Sequence, residues 1–318
     1  MEMPQVLKVE PECESWLTRG RAVALGLSGG RDSVALLRLL LMRGVRVCAC
    51  HVHHGIRGAA ADEDADFCAE LCAGLGVACE LHRVDVPALA QACGESLETV
   101  ARRERRRLLV DFARRHGCCA IALAHHADDQ AETAIFHLAR GSAGLRGMRS
   151  VSEQGGAVWL RPLLGRRRAE ITAWLQELGQ PWREDATNAV PDVTRNVLRL
   201  EALPALNRAM GRDVTPVICR SARLQGEVAE ALQVALEHLP LLDPQGRLYL
   251  PFLEGKTAAF CRAVVHYYLK LKGVSGITEP HVRAICAMLA PDSRVSMHNL
   301  PDGVRARRAH KRLIIEPL

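Results

Sequence analysis

The segment most informative about the fold is Arg21-Ala22-Val23-Ala24-Leu25-Gly26-Leu27 followed by Ser28-Gly29-Gly30-Arg31-Asp32-Ser33. Its first seven residues form a short apolar run, which is typical of a buried strand. Glycines permit the tight turn that follows, and apolar residues at helical spacing from Asp32 to Met42 predict a helix. The sequence therefore predicts a strand, a tight loop and a helix in immediate succession.

The same alternation of strand and helix continues through the first two-thirds of the chain. Further strands are predicted over 45–51, 77–84, 119–124 and 156–160, and further helices over 59–75, 97–116, 128–138 and 168–178. Strands that alternate with helices predict an α/β fold with a parallel, doubly wound sheet. Because such sheets bind ligands beyond the carboxyl ends of their strands, functional residues are expected at that edge.

The pattern changes near residue 200, where strand-like runs give way to helical ones. Helical patterns occupy 198–239, 257–272 and 280–289, and short alternating runs with basic residues occupy 294–317. We therefore predict a first domain over residues 1–205 and a second, smaller, mainly helical α+β domain over residues 206–318.

Composition limits the class of protein. The chain has 318 residues, is 48% hydrophobic and carries a formal net charge of +6, which permits a nucleic-acid partner without requiring one. Its twelve cysteines include no C-x-x-C pair, so we expect reduced thiols in a cytoplasmic protein rather than a zinc or iron–sulfur site. Apolar runs of signal-peptide or membrane-span length are lacking, so no membrane association is expected.

The loop from Ser28 to Ser33 has the chemistry of an anion site. Glycines let backbone N–H groups approach an anion, the helix N-terminus adds unpaired donors, and the two serines add hydroxyl groups. The carboxylate of Asp32 would repel a phosphate unless it serves a metal or a substrate cation, which predicts Mg²⁺ bridging Asp32 and phosphate oxygens.

Other interpretations of this loop account for fewer of its residues. It is neither a Walker loop nor G-x-G-x-x-G. Gly26 to Gly30 matches G-x-S-x-G, the nucleophile elbow of α/β hydrolases, but Asp32 and Ser33 would then have no role. A plain capped turn is the remaining alternative. Phosphate binding is therefore the favoured interpretation.

Two histidine-bearing segments follow predicted strands. His51-Val52-His53-His54-Gly55-Ile56-Arg57 lies where a nucleotide base would sit beside the loop, with polar filler or a transition-metal site as alternatives. The segment Ala124 to Thr133 places His125 and Asp129 on one helix face. Asp129 could hold an ammonium group or a metal, and His125 could move a proton, whereas simple helix capping is the alternative.

Arginines cluster in three places. Residues 98–107 form a basic helix face, mostly expected to be solvated, from which one or two arginines could clamp a phosphate or a carboxylate. The other two clusters are Arg166-Arg167-Arg168 and a tail that contains Arg305, Arg307, Arg308, Lys311 and Arg312. Each could be a solvated surface, but one in each domain suits a phosphate backbone that bridges the two.

Together these segments resemble the tRNA(Ile)-lysidine synthetases of the PP-loop ATP pyrophosphatase superfamily. Ser28 to Ser33 matches the superfamily motif S-G-G-x-D-S. The more specific segments follow the family's order and rough spacing: His51 to Arg57, Ala101-Arg102 with Arg105, His125 to Thr133, Arg140-Gly141 with Gly147-Met148, Arg161 to Leu164, and Asp185 to Arg199. The tail from Leu300 to Ile315 also looks like the end of the family's shorter members, so the resemblance covers nearly the whole chain.

This resemblance implies an adenine-nucleotide α-hydrolase-like fold and a ligase that acts on the wobble cytidine of tRNA-Ile with a CAU anticodon. In the reaction that the resemblance implies, the C2 oxygen of the base attacks the α-phosphate of ATP and pyrophosphate leaves. The ε-amine of L-lysine then attacks C2 and displaces AMP. ATP and Mg²⁺ are the implied cofactors. The domain 1–205 would be catalytic and 206–318 would contact tRNA, and a homodimer is left open.

The resemblance also assigns roles to individual residues. The ATP site would comprise Ser28, Gly29, Gly30, Arg31, Asp32 and Ser33, with Asp32 near magnesium, and His51. Positions that the family uses around the adenylate and the lysine are matched by Arg105, His125, Asp129 and Arg195. The chain departs from the family at Arg106, where many members carry an aromatic residue, and mildly at Thr187, where serine is usual.

Three other functions share parts of this pattern. A tRNA-thiolating enzyme usually needs a persulfide or cluster-binding cysteine pair, and the missing C-x-x-C argues against it. A small-molecule amide synthetase would leave the basic clusters and the second domain without a role. A nucleotide-binding regulator without catalysis would leave the ionisable residues from His125 to Glu132 without one.

Overall fold

The computed structural model describes residues 6–141, 145–184, 194–290 and 293–318, without the side chains at 194 and 195. The chain forms two compact units, Met1–Gly226 and Glu227–Leu318. The predicted domain limits of 1–205 and 206–318 stay a prediction, since a compact unit need not end where a domain ends.

The described part of the first unit contains a six-stranded sheet with the order β3-β2-β1-β4-β6-β5. Its strands are β1 (Ala22–Gly26), β2 (Arg46–His53), β3 (Ala78–Arg83), β4 (Ala120–Ala122), β5 (Val151–Gln154) and β6 (Ala157–Leu160). All neighbouring pairs are parallel except β5 and β6, which form an antiparallel hairpin at one edge. The predicted parallel sheet is confirmed, and β5, which is short and polar, is the strand that periodicity did not indicate.

Helices connect and cover these strands. In the first unit they are α1 (Arg31–Met42), α2 (Ala59–Gly74), α3 (Val86–Cys93), α4 (Leu97–Arg115), α5 (Ala127–Ala139), α6 (Arg168–Glu177), α7 (Thr194–Val197), a π-helical segment (Leu198–Ala202), α8 (Leu203–Met210) and the start of α9 (Thr215–Glu237). Sequence patterns did not indicate α3. It begins where the side chain of Asp85 accepts a hydrogen bond from the Ala88 N–H at 3.0 Å.

Both faces of the sheet are buried. On one face, apolar residues of α1 such as Leu36 and Leu40 pack with Ile171 and Trp174 of α6. On the other face, Leu109 and Phe112 of α4 pack against the strands. Each fully buried leucine contributes roughly 1.5–3 kcal/mol to the free energy of folding. This burial holds the loop ends of β1, β2 and β4 in fixed positions.

The second unit is a smaller α+β structure. After α9 it contains β7 (Leu248–Tyr249), α10 (Ala258–Leu271), α11 (Glu279–Met288), β8 (Met297–Leu300), β9 (Val304–Ala309) and β10 (Arg312–Pro317). The described strands form an antiparallel sheet with the order β7-β10-β9-β8. The buried Tyr268 of α10 donates its hydroxyl hydrogen to the carbonyl of Leu313 at 3.0 Å, which ties the helix to the sheet. In the described ranges, no helix has the length and apolarity needed to cross a membrane.

Candidate active site

The loop between β1 and α1 is tightly constrained by its neighbours. Gly29 adopts φ +81°, a conformation that favours glycine. A Cβ at this position would lie 3.2 Å from Cys68 Sγ and 3.3 Å from Phe67 Cδ1. Gly30 then caps α1 without a side chain, so the amide groups of the first helical turn remain open to a ligand.

The two loop serines are joined by hydrogen bonds. Ser28 Oγ lies 3.1 Å from Ser33 Oγ, and the Ser28 N–H donates to Ser33 Oγ at 3.2 Å. The Ser33 hydroxyl donates to the Gly30 carbonyl at 2.9 Å. Within the described residues, Ser28 Oγ bonds only to Ser33 and to the Gly30 N–H rather than to a histidine. This arrangement favours an anion loop over a serine nucleophile.

A cleft of about 760 Å³ opens above this loop at the carboxyl ends of β1, β2 and β4. Of the predicted site residues, it is lined by Ser28, Gly30, Arg31, Asp32, Ser33, His51, Arg105 and His125. Gly29 lies in the loop between two lining residues, and Asp129 lies beside the cleft in the cluster described below. Thr187 and the segment 185–193 fall outside the described residues, as does the side chain of Arg195.

The charge of the cleft is predominantly positive. Among the described lining residues the cations are Arg31, Arg57, Arg105, Arg168, Arg183 and Arg199, and the anions are Asp32, Asp64 and Glu184. Asp64 is already neutralised, because Arg57 Nη2 lies 2.6 Å from one of its oxygens and Arg183 Nε lies 3.2 Å from the other. The remaining excess of guanidinium groups suits a ligand that carries several negative charges.

Two histidines of the cleft, His51 of β2 and His54 of the loop after it, have a lowered pKa. His51 is buried, and its Nδ1 lies 2.9 Å from the carbonyl oxygen of Leu27. Burial lowers the pKa of His51, although the bond to Leu27 opposes this shift. Burial and the nearby Arg105 lower the pKa of His54 to about 4. The positive charge of the cleft at neutral pH therefore comes from arginines rather than from these imidazoles.

A buried histidine joins three carboxylates next to the loop. The side chain of His126 is fully buried, and its Nε2 lies 3.5 Å from Oδ2 of both Asp32 and Asp129. Its Nδ1 lies 3.5 Å from Asp128 Oδ2. Asp129 in turn accepts a hydrogen bond from the His126 backbone N–H at 3.0 Å, which caps α5. The cluster connects the loop from Ser28 to Ser33 with the start of α5.

Within this cluster the pKa of Asp32 is lowered, whereas the pKa of Asp129 is raised. Burial opposes ionisation of Asp32, but bonding to His126 and Arg31 outweighs it and lowers the pKa of Asp32. Burial raises the pKa of Asp129, and its attraction to His126 offsets this only in part. Burial alone would lower the pKa of His126, yet the surrounding carboxylates raise it. Asp129 is thus a stronger proton acceptor than an ordinary aspartate.

Several of these residues were not singled out from the sequence. Sequence patterns did not distinguish His126 from His125, and the position of His126 two residues before the pair Asp128-Asp129 was the available signal. Asp64 lies among several acidic residues at the start of the predicted helix 59–75, and Arg183 has no distinctive neighbours in the sequence. Their pairing spans 119 residues of sequence, so it depends on how α2 packs.

The predicted arginine clusters have different environments. Arg168 lines the cleft, whereas Arg167 is paired with Asp128 at 2.8 Å and with Asp213. In the second unit, Arg305 and Arg307 each pair with Glu316, at 2.9 and 3.0 Å. Arg312 lies 2.9 Å from Asp243, and Arg308 donates to backbone carbonyls. Much of the tail's basic character is therefore compensated within that unit.

A side-chain clamp fixes the segment after α5. Gln130 donates to the Met148 carbonyl at 2.9 Å and accepts from the Met148 N–H at 2.6 Å. A Cβ at Gly147 would lie 2.5 Å from Gln130 Nε2, so the clamp requires glycine there. This explains physically why Gly147-Met148 belongs with the segment that begins at His125.

Comparison with known proteins identifies the family. Residues 5–206 match the model of the PP-loop domain. A tRNA(Ile)-lysidine synthase of Chlorobaculum tepidum is 33% identical over 268 residues, covering 81% of this chain and 80% of the relative. The chain belongs to the tRNA(Ile)-lysidine synthase family. The resemblance noted in the sequence is thereby confirmed.

Other relatives are longer than this chain. The tRNA(Ile)-lysidine synthase of Deinococcus radiodurans is 42% identical over 228 residues, which cover 72% of this chain but 38% of the relative. The matched region therefore spans well under half of that relative's length. Among solved structures, the U34-tRNA thiolase NcsA of Methanococcus maripaludis, which holds a [4Fe-4S] cluster, has a TM-score of 0.56 at 18% identity. The match covers 67% of this chain and 75% of the thiolase, and shows a shared fold.

Proposed function

We propose that this chain ligates L-lysine to C2 of the wobble cytidine of tRNA-Ile with a CAU anticodon, consuming ATP and releasing AMP and pyrophosphate. Membership of a family of tRNA-modifying enzymes with a PP-loop domain supports the general class. The observation that carries the proposal is a single cleft that joins the phosphate loop, His51, Arg105 and His125. We also propose a cytoplasmic location, in keeping with twelve free thiols.

ATP phosphates would bind at the loop from Ser28 to Ser33. The serine hydroxyls and the first amides of α1 can donate hydrogen bonds, and the helix N-terminus favours negative charge. Arg168 lines the same cleft, and its buried Nε has no hydrogen-bond partner within the described chain. An oxygen of a phosphate would satisfy that donor. The buried, neutral His51 would lie toward the base.

The residues present fit a magnesium ion. Asp32 offers carboxylate oxygens at the edge of this loop, and its Oδ2 lies 3.5 Å from the buried Nε2 of His126, which makes no hydrogen bond of normal geometry among the described residues. Carboxylates together with substrate phosphates are the ligands magnesium usually takes. Asp32 now pairs with Arg31 at 3.0 Å, so Arg31 would turn toward the phosphates when the ion binds. The ion would neutralise phosphate charge.

The chemistry needs two bond exchanges. In the first, the cytidine C2 oxygen bonds to the α-phosphorus of ATP while the bond to pyrophosphate breaks. In the second, the lysine amine bonds to C2 while the bond between C2 and the AMP oxygen breaks, and the amine loses a proton. Asp129, whose pKa is raised by burial, would hold the ammonium group and accept that proton.

Arginines and a histidine would assist the two displacements. Arg105 lines the cleft and would offset charge that develops on the α-phosphate. Arg195, on α7, is proposed to act in the same way on phosphate or the lysine carboxylate. His125 would steady the leaving group or the base by hydrogen bonding. The second domain, proposed as residues 206–318, would contact tRNA, and homodimerisation stays open.

Incorporation of labelled lysine into a purified tRNA-Ile transcript tests the proposal. Transfer should require ATP and the CAU anticodon, and Asp32→Ala should abolish it. Asp66→Ala, which removes an exposed aspartate from α2, is the matched control and should retain transfer. ATP cleavage to AMP and pyrophosphate without lysine transfer would overturn the lysine assignment and leave the adenylating class, and absence of nucleotide chemistry would overturn both.

A further inference from the structure

A second concave surface lies along a face of α4 that neighbours the one lining the cleft. It has a volume of about 710 Å³ and is formed by α4, the end of α5 and the β5–β6 hairpin. We call it the arginine groove, after the five arginines that line it: Arg102, Arg103, Arg106, Arg107 and Arg140. Its walls also include the aromatic rings of Phe136 and Trp159.

Some of the groove's positive charge lacks an internal counter-charge. Arg103 pairs with Glu95, and Arg107 lies 2.9 Å from Glu104. Within the described ranges, by contrast, neither Arg102 nor Arg140 has a carboxylate within 4.0 Å. Arg106 donates to the neutral side chain of Gln154 and lies 5.1 Å above the Trp159 ring. Three guanidinium groups are thus available to an external anion.

A buried arginine beneath the groove adds to this charge. Arg161 is 8% exposed, and its Nη1 donates to the Arg149 carbonyl at 2.8 Å and to Ser152 Oγ at 3.2 Å. Its partners are therefore neutral. Burial lowers the pKa of Arg161, and repulsion from Arg106 and Arg102 lowers it further. Because like charges are crowded at low dielectric, an anion bound in the groove would relieve repulsion.

The groove also offers a flat surface. The guanidinium of Arg140 lies 5.2 Å from the centre of the Phe136 ring, and Arg140 itself is exposed. An arginine plane backed by an aromatic ring can stack with a nucleobase. Cations for phosphates next to a stacking surface for a base are the combination found in proteins that bind single-stranded nucleic acid.

The groove and the cleft lie along neighbouring faces of the same helix. Arg105 and Leu109 of α4 line the cleft, whereas Arg102 and Arg106 line the groove. An α-helix with its side chains is about 10–12 Å across. An RNA strand that places one base in the cleft would therefore reach the groove with nucleotides close in sequence.

We propose that the arginine groove binds the single-stranded RNA segment next to the nucleotide that enters the cleft. Arg102 and Arg106 contact its phosphates, and Arg140 stacks with one of its bases. This inference rests on the proposed function for the identity of the RNA, and it adds a binding surface that the cleft does not provide.

The test compares the double variant Arg102→Gln/Arg140→Gln with wild type and with Arg114→Gln. Arg114 lies on the same helix, is 72% exposed, and lines neither concavity, so it controls for charge removal. The single variant Arg140→Gln is measured as well, so that the test does not depend on the folding of the double variant. Steady-state lysine transfer gives KM values for tRNA, ATP and lysine, and filter binding gives the tRNA Kd between about 50 and 200 mM salt.

We expect the double variant to raise both the KM and the Kd for tRNA about tenfold, with KM for ATP and lysine and kcat at saturating tRNA unchanged. The slope of log Kd against log salt should become shallower by about 0.7 for each phosphate that the variant no longer neutralises. Arg114→Gln should behave as wild type. A tRNA Kd within twofold of wild type overturns the proposal, as does an equal loss of affinity for a duplex RNA.

Filter binding separates this inference from the proposed function. If the wild-type protein fails to transfer lysine but its tRNA affinity still depends on Arg102 and Arg140, the RNA-binding groove is supported and the lysine reaction is refuted. If lysine transfer proceeds and the double variant changes neither the KM nor the Kd for tRNA, the lysine reaction is supported and the RNA-binding groove is refuted.

Discussion

Replacement of Gly29 by alanine tests whether the loop after β1 is the ATP site. Gly29 has φ +81°, and alanine in this left-handed conformation costs about 1–2 kcal/mol in the free energy of unfolding. The new Cβ would also press on Cys68 Sγ at 3.2 Å and Phe67 Cδ1 at 3.3 Å, so the loop must shift away from α2. In a unit of this size, such a cost lowers Tm by about 2–8 °C.

The effect on ATP should be larger than the effect on stability. A shifted loop loses at least one hydrogen bond to a charged phosphate, which is worth about 1.5–3 kcal/mol. This corresponds to an increase of about 10- to 150-fold in the KM for ATP. The assay is pyrophosphate release in the presence of lysine and tRNA, with thermal unfolding measured on the same preparations.

Gly20→Ala is a matched control for this experiment. Gly20 has φ +83°, and a Cβ there would meet nothing within 4 Å. It shares the conformational cost of Gly29→Ala, and so a similar part of the Tm decrease, but it lies before β1 and outside the cleft. If the two variants have the same KM for ATP within twofold, the loop does not bind the nucleotide and its assignment as the ATP site is wrong.

Three further predictions concern the His126 cluster and the clamp. The pKa of His126 is raised in the folded chain, so its charged imidazole stabilises the fold fully below about pH 6.5. This stabilisation is lost as pH rises through the raised pKa, and His126→Gln should therefore lower Tm most at low pH. The Tm difference from wild type should shrink as pH rises above about 6.5, and a constant difference would contradict this. Asp129→Asn should lower kcat for lysine transfer by about 10²–10⁴ yet preserve the first burst of pyrophosphate, and loss of the burst would remove Asp129 from the second step. Gly147→Ala should destabilise the protein by about 1–3 kcal/mol in thermal unfolding by breaking the Gln130 clamp, and should cost little in a Gln130→Ala background.

The fold that positions the candidate site also occurs in the U34-tRNA thiolase. A TM-score of 0.56 at 18% identity shows that the two proteins share a fold. Function on a shared fold depends on the side chains at the strand ends. Here those side chains include His51, Arg105 and His125, together with the His126 cluster.

Local patterns were sufficient for much of the architecture. The apolar run before Leu27, the glycines of the loop and the helical spacing after Asp32 are properties of adjacent residues, and the structure has β1 and α1 within one residue of their predicted limits. Elements with weak local patterns were missed. The strand β5, Val-Ser-Glu-Gln, is largely polar, and it forms because β6 provides an edge to pair with.

The alternating α/β order, the loop at the end of β1 and the set of ionisable residues at the strand ends all follow from the sequence alone. The packed chain was needed to show that His126 rather than His125 joins Asp32 to Asp129, that Arg183 neutralises Asp64, and that Arg105 and Arg106 line different concave surfaces. Periodicity is set by neighbours three or four residues apart. Ion pairs and pKa values depend on burial and on distances between segments far apart in sequence, and these exist only once the sheet and its helices are packed.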